Sequence, residues 1–167
     1  PTKSSAASDV YKRQVFIPFV IDAQSQDKKV TYKKARALQT STAKKIVKVV
    51  EALERVDEEG KEDPDYLTVK EILNDLLEKG DSLRSYDRSV MWSYWAYLYA
   101  IEENYLKAAE AHKQLLAEPE STIPLRLNSL YALAQISLQL GNLKEGVEFL
   151  LQWMDEVEVI TAQGWSL

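Results

Sequence analysis

Two stretches of this chain carry the same pattern of side chains 38 residues apart, and no other feature constrains the fold as much. Trp92, Trp95, Ala96, Tyr99, Ala108, His112 and Leu115 align with Leu130, Leu133, Ala134, Ser137, Gly146, Leu150 and Trp153. Within each copy the positions fall at offsets 0, 3, 4, 7, 16, 20 and 23. The first four share one face of a helix, and the last three share one face of a second. Small residues, Ala96 and Ala134 on the first helix and Ala108 and Gly146 on the second, let the partner helix approach closely. Bulky positions fill the gaps between them. The turns agree too, with Glu103-Asn104 and Gly141-Asn142 at the same place in each copy.

Composition narrows the chemistry. The 167 residues suffice for one domain with a real core. Five Gly and five Pro are few for an all-β fold built on tight turns. The absence of Cys excludes a disulfide framework and a thiolate zinc site. A single His, His112, removes His-based metal clusters and most His-dependent triads, and it occupies a packing position of the repeat. No phosphate-cradling GxGxxG or GxxxxGK occurs. The carboxylates of Asp57-Glu58-Glu59 and Glu62-Asp63 fall in loops or on polar faces, where solvation accounts for them. No catalytic residue, cofactor site or metal site is therefore expected.

The remaining pattern reads as consecutive helices. Ile46, Val49, Val50 and Leu53 give an amphipathic helix over Thr40 to Val56. Asp65 caps a second, with Val69, Ile72, Leu73, Leu76 and Leu77 in one stripe and Gly80-Asp81 at its end. The third starts at Ser85 or Asp87 and runs to about Glu102. Tyr105 to Ala117 is the fourth, and Pro119 and Pro124 bracket a loop. Arg126 to Leu140 and Leu143 to Val157 are the fifth and sixth, and Ile160 to Leu167 begins a seventh.

Formal net charge is −5, from 21 basic and 26 acidic residues, which speaks against a nucleic-acid partner. It is unevenly spread. Lys28 to Arg55 holds nine basic residues against Glu51 and Glu54, whereas Val56 onward holds nine basic and 21 acidic residues. A solvated basic helix beside acidic neighbours is the plainer reading, and a ligand-binding patch is the other.

The first residues stand apart. Residues 1–14, PTKSSAASDVYKRQ, are polar and aperiodic and look like translated adaptor or vector sequence. Val15 to Ile21, VFIPFVI, followed by Ala23 and Ser25, resembles the back half of a secretory signal peptide over residues 15–25. Seven apolar residues are too few to span a membrane, so no transmembrane segment is expected. A buried strand or helix start is the rival reading of that run. The signal reading implies a periplasmic location, with the cytoplasm as the alternative.

The paired offsets are those of the tetratricopeptide repeat (TPR), which this chain resembles. The resemblance implies an all-α, right-handed α-α superhelix of antiparallel helix pairs. Residues 85–122 and 123–159 are the two registered repeats, 26–84 hold a basic opening helix and a degenerate first repeat, and 160–167 begin another. Relative to the usual period of 34 the surplus lies in the Pro119 to Leu125 linker. In such solenoids the first helices line a concave groove, where Ser93 and Tyr97, then Asn128, Tyr131 and Gln135, are the candidate protein-binding residues. Aromatic side chains on a rigid surface give contact area at low entropic cost. Simple contact with neighbouring repeats is the competing reading. Groove positions Val90, Ser93, Tyr94 and Tyr97, then Asn128, Tyr131, Ala132 and Gln135, carry no cation, which argues against clamping a peptide carboxylate.

The runs from Ser85-Tyr86 through Val90-Met91-Trp92 to Asn104-Tyr105 and Ala108, with Ile123-Pro124 and Ser129 to Gln135, narrow the resemblance. They are similar to periplasmic TPR proteins encoded beside TonB, ExbB and ExbD in marine gammaproteobacteria. That resemblance implies a non-enzymatic scaffold for TonB-dependent uptake of iron-siderophore or similar ligands, with TonB, ExbB or ExbD components as partners. A generic scaffold for envelope assembly and a repeat appendage of a larger enzyme stand beside it.

Overall fold

The computed structural model describes residues 36–165, with side chains through Val157. The adaptor-like stretch, the signal-like run and most of the basic segment before Arg36 lie outside the described residues. The chain divides into two units, Pro1–Ala37 and Leu38–Leu167, and every helix described below belongs to the second. That unit is all-helical: α1 (Thr40–Leu53), α2 (Tyr66–Glu78), α3 (Ser85–Ile101), α4 (Tyr105–Ala117), α5 (Ile123–Gln139) and α6 (Leu143–Trp165). Each helix packs on its successor, and α3 also touches α5.

Helix α1 follows the expected stripe but stops at Leu53, three residues before Val56. The chain leaves the helix because its next residues have partners elsewhere. Arg55 donates to the Asp63 carboxylate at 2.7 Å and to Asp65 at 3.2 Å, and Val56 bridges to Glu62 around Gly60. At the other end of α1 no side chain caps the helix. The Gln39 backbone N–H instead donates at 2.9 Å to Asp87 Oδ1, a fully buried carboxylate that also accepts from Arg84 Nε at 3.1 Å. A charge-assisted bond of this kind ties the start of α1 to the start of α3.

Asp65 caps α2 as expected, accepting from the Thr68 N–H at 3.0 Å and the Thr68 hydroxyl at 2.9 Å. Those two bonds hold its carboxyl below the usual range. Val69, Leu73 and Leu76 are buried, while Leu77 is turned to solvent. The Gly80-Asp81 stop is a short 3-10 turn, Gly80–Ser82.

The two registered copies fold as matching hairpins. Three residues join α3 to α4, and three join α5 to α6. In the first turn Glu103 takes a left-handed conformation, φ 58°, and in the second Gly141 does, φ 80°. Asn104 N–H donates to Tyr99 O and Asn142 N–H to Ser137 O, both at 2.8 Å. Glu103 N–H donates to Ala100 O and Gly141 N–H to Leu138 O, both at 3.1 Å. That is the Schellman arrangement made twice, with carbonyls at the end of one helix satisfied by the turn that starts the next.

Packing repeats as well. Offsets 3, 4 and 16 are buried in both copies: Trp95 with Leu133, Ala96 with Ala134, and Ala108 with Gly146. Gly146 meets α5 so closely that an added Cβ would lie 2.8 Å from Leu138 Cγ and 3.2 Å from the Ala134 carbonyl. Trp95 stacks on Tyr99 at 5.2 Å between ring centroids. Trp92, Tyr99, Leu150 and Trp153 are half-buried rather than core.

Two further boundaries differ from the sequence expectation. Helix α5 begins at Ile123, with Pro124 in its first turn, where a missing N–H costs nothing and φ is already helical. Pro124 therefore opens a helix rather than closing a loop. Helix α6 runs unbroken to Trp165, so residues from Ile160 continue it and do not start a separate helix. No Pro interrupts the sequence between Leu143 and Trp165, and Gly164 falls only in the last turn.

Candidate protein-binding face

The five candidate residues lie on α3 and α5, which are in direct contact, but they do not share one environment. Ser93 is half-buried, and its hydroxyl donates to the Val90 carbonyl of its own helix at 2.6 Å. Tyr97 is half-buried too, with its hydroxyl raised to about 12. Burial is the main cause, followed by the side chain of Tyr66 at the start of α2 and the Glu62 charge. Tyr97 thus interacts with Tyr66 of the preceding helix pair.

The α5 residues are more open. Asn128 is exposed, Gln135 is half-buried, and Tyr131 is 44% exposed. One face of the Tyr131 ring leans on Trp153 of α6, with centroids 5.7 Å apart and planes at 47°. The contact backs the ring on one side while nearly half of the residue stays exposed, an amphipathic side chain of the kind suited to contact surfaces. Two of the positions compared with carboxylate clamps are closed, since Tyr94 and Ala132 are buried. Burial raises the Tyr94 hydroxyl above its ordinary range.

Ion pairs position these faces, and apolar pattern-matching missed them. Arg88 on α3 donates from Nε at 2.7 Å and Nη2 at 2.8 Å to the two carboxylate oxygens of Glu118, just past α4. Its Nη1 reaches the Leu83 carbonyl at 2.7 Å. Arg126 on α5 repeats this on Glu156 of α6, at 3.3 Å and 2.6 Å, with Nη1 on the Leu116 carbonyl at 3.2 Å. Planar, two-point pairing of this kind is both stronger and more directional than a single contact. The signal was present in the sequence: Arg88 and Arg126 are 38 apart, and so are Glu118 and Glu156.

Between hairpins, Lys113 of α4 donates to Glu145 of α6 at 2.8 Å and sits 5.9 Å from the Phe149 ring centroid. The Ser137 hydroxyl donates to the other Glu145 oxygen at 3.0 Å. Lys113 and then Ser137 hold the Glu145 carboxyl below its usual range. His112 is 7% exposed, its Nδ1 lying 3.1 Å from Ser129 Oγ on α5. Burial pushes it down to about 4, so it is a neutral packing residue at neutral pH. Lys45 of the basic opening helix pairs with Asp75 of α2, and Arg55, just past that helix, pairs with Asp63 and Asp65.

Among the described residues no group of three or more His, Asp or Glu side chains converges as a metal site would. No helix there is long and apolar enough to cross a membrane. Comparison with protein-family models, curated proteins and solved structures finds no match to this chain.

Proposed function

We propose that this chain is a non-enzymatic, TPR-type scaffold that binds a protein or peptide partner across α3 and α5, with Asn128 and Tyr131 at the centre of the contact. The observation that carries this reading is the recurrence of one hairpin in side chains, turn bonds and arginine clamp at a spacing of 38 residues. Stacked copies of such a unit are the usual basis of extended binding surfaces, and a right-handed superhelix is the form they take in TPR proteins. Tyr97 and Ser93 line the edge of the contact, and Gln135 extends it along α5. The occupant is a weakly charged peptide or helix, because the open positions carry amides and a phenol.

The resemblance to TPR proteins encoded with TonB, ExbB and ExbD supports a periplasmic accessory role in TonB-dependent uptake. Its test is copurification of the tagged protein from envelope extracts. Recovery of TonB, ExbB or ExbD is the expected result, and recovery of none of them overturns that partner assignment while leaving the scaffold reading to the crosslinking experiment below.

A further inference from the structure

The two registered hairpins, α3 with α4 and α5 with α6, meet along α4 and α5. His112 of α4 and Ser129 of α5 are both buried at that joint, with Nδ1 3.1 Å from Oγ. Among the described residues no protein group lies within hydrogen-bond reach of His112 Nε2. A neutral imidazole tolerates this, because it carries one donor and one acceptor and the Ser129 hydroxyl can serve either at Nδ1. An imidazolium carries two donors, and the second would stand buried, charged and without an acceptor.

No neighbouring charge relieves that. Of the helices packed on α4, α3 carries Asp87 and Arg88 and α5 carries Arg126, while α6 reaches α4 through Glu145. Each is already engaged: Asp87 by Arg84, Arg88 by Glu118, Arg126 by Glu156 and Glu145 by Lys113. On α4 itself, Lys107 lies over the Tyr99 ring and Glu110 accepts from Gln114. The tyrosines of α3 and α5 stay neutral in acid. Burial alone accounts for the lowered value of His112. Above about pH 4 a proton therefore settles on His112 mainly where water reaches the ring, with α4 and α5 parted.

What moves with the joint is the contact face. Ser129 stands between Asn128 and Tyr131 on one turn of α5, so a shift that uncovers Ser129 displaces both. We propose that the α4–α5 joint is a proton-operated hinge: a proton on His112 parts the second hairpin from the first and withdraws the contact face that α5 shares with α3. Release of a partner rests on the binding role given to that face, whereas the hinge does not. Opening is favoured below the ordinary histidine value of 6.5 and grows until the buried ring itself protonates at about 4. Between pH 7 and pH 5 the open population should rise about twentyfold, while carboxylates of ordinary value stay largely ionised.

Hydrogen exchange on the full chain tests the hinge. After correction for the intrinsic exchange rate, amides of α4 and α5 should lose about twentyfold in protection between pH 7 and pH 5, while those of α1 and α2 keep theirs. Low urea should change these rates little, as suits a small opening. His112→Leu and His112→Gln carry no titrating ring, and neither should show the loss. Equal loss in all helices, a steep urea dependence, or a loss that survives in both variants would overturn the hinge. A photo-crosslinking residue at position 131 reads the consequence for binding. Its adducts should weaken at pH 5 in the wild-type chain and persist in His112→Gln. Adducts indifferent to pH beside an opened joint would overturn the control of binding. Adducts at neither pH would count against the contact face itself, with the exchange result still deciding the hinge.

Discussion

Arg88 grips Glu118 through two hydrogen bonds of 2.7 and 2.8 Å, thirty residues along the chain, and closes the first hairpin at the end away from its turn. Arg126 and Glu156 close the second hairpin in the same way. The first pair is the better shielded, with side-chain exposures of 24% and 12%. Glu118→Gln keeps the shape but removes the charge, so it should cost about 1–2 kcal/mol of stability. Glu156→Gln, at a more exposed pair, should cost less. Urea midpoints of the two variants measure the difference, and equal costs would mean that shielding does not set the strength.

Glu103 stands in the left-handed conformation that Gly141 occupies one repeat later. A side chain there carries a steric cost of about 1 kcal/mol that glycine does not. Glu103→Gly should therefore stabilise the chain by about 0.5–1 kcal/mol, and Gly141→Ala should destabilise it by a similar amount. Thermal unfolding of both variants reads the opposite signs directly.

His112 gives the protein an acid-sensitive joint between α4 and α5. Its folded value, about 4, lies below the ordinary histidine value of 6.5. The unfolded chain thus binds the extra proton first as pH falls. Stability from this group is whole above about 6.5 and is lost as pH drops from there through about 4, by an amount of order 3 kcal/mol. His112→Leu, the residue type at the equivalent Leu150, should flatten the stability profile across that window. Urea unfolding at a series of pH values checks it, and a variant as acid-sensitive as wild type would contradict it.

Gly146 shows why the small positions of the repeat are small. A side chain there meets Leu138 and the Ala134 carbonyl, and the carbonyl cannot move aside. Gly146→Leu should destabilise by about 1–3 kcal/mol, although leucine is the better helix former. A gain in the denaturation midpoint would show that α5 and α6 are looser than their packing implies.

Much of the fold was legible because helix faces are periodic. The stripes of α1 and α2, the Asp65 cap and the Tyr105–Ala117 helix could be placed from spacing alone. Boundaries were missed where a local signal has two meanings. Pro124 marks a break when read alone and a helix start when its fixed φ suits a first turn. Val56 continued an apolar period, but the pull of Asp63 and Asp65 on Arg55 ended the helix sooner. Of the binding candidates, Asn128 and Tyr131 are exposed, while Tyr97 is half-buried and interacts with Tyr66 of the preceding pair. Such contacts between hairpins leave no trace in the spacing of one helix. The arginine clamps did leave one, in charged residues that recur at the same period as the apolar ones.

The binding face on α5 is tested most directly by a photo-activatable crosslinking residue placed at position 131 of the tagged chain in cells. Position 106 on α4, where Leu106 is 71% exposed, serves as the comparison. The predicted result is a defined partner adduct from position 131 that is absent from 106 and lost on Asn128→Lys, with the unfolding midpoint unchanged. Adducts of equal strength from both positions, or none from 131, would contradict a binding face on α5.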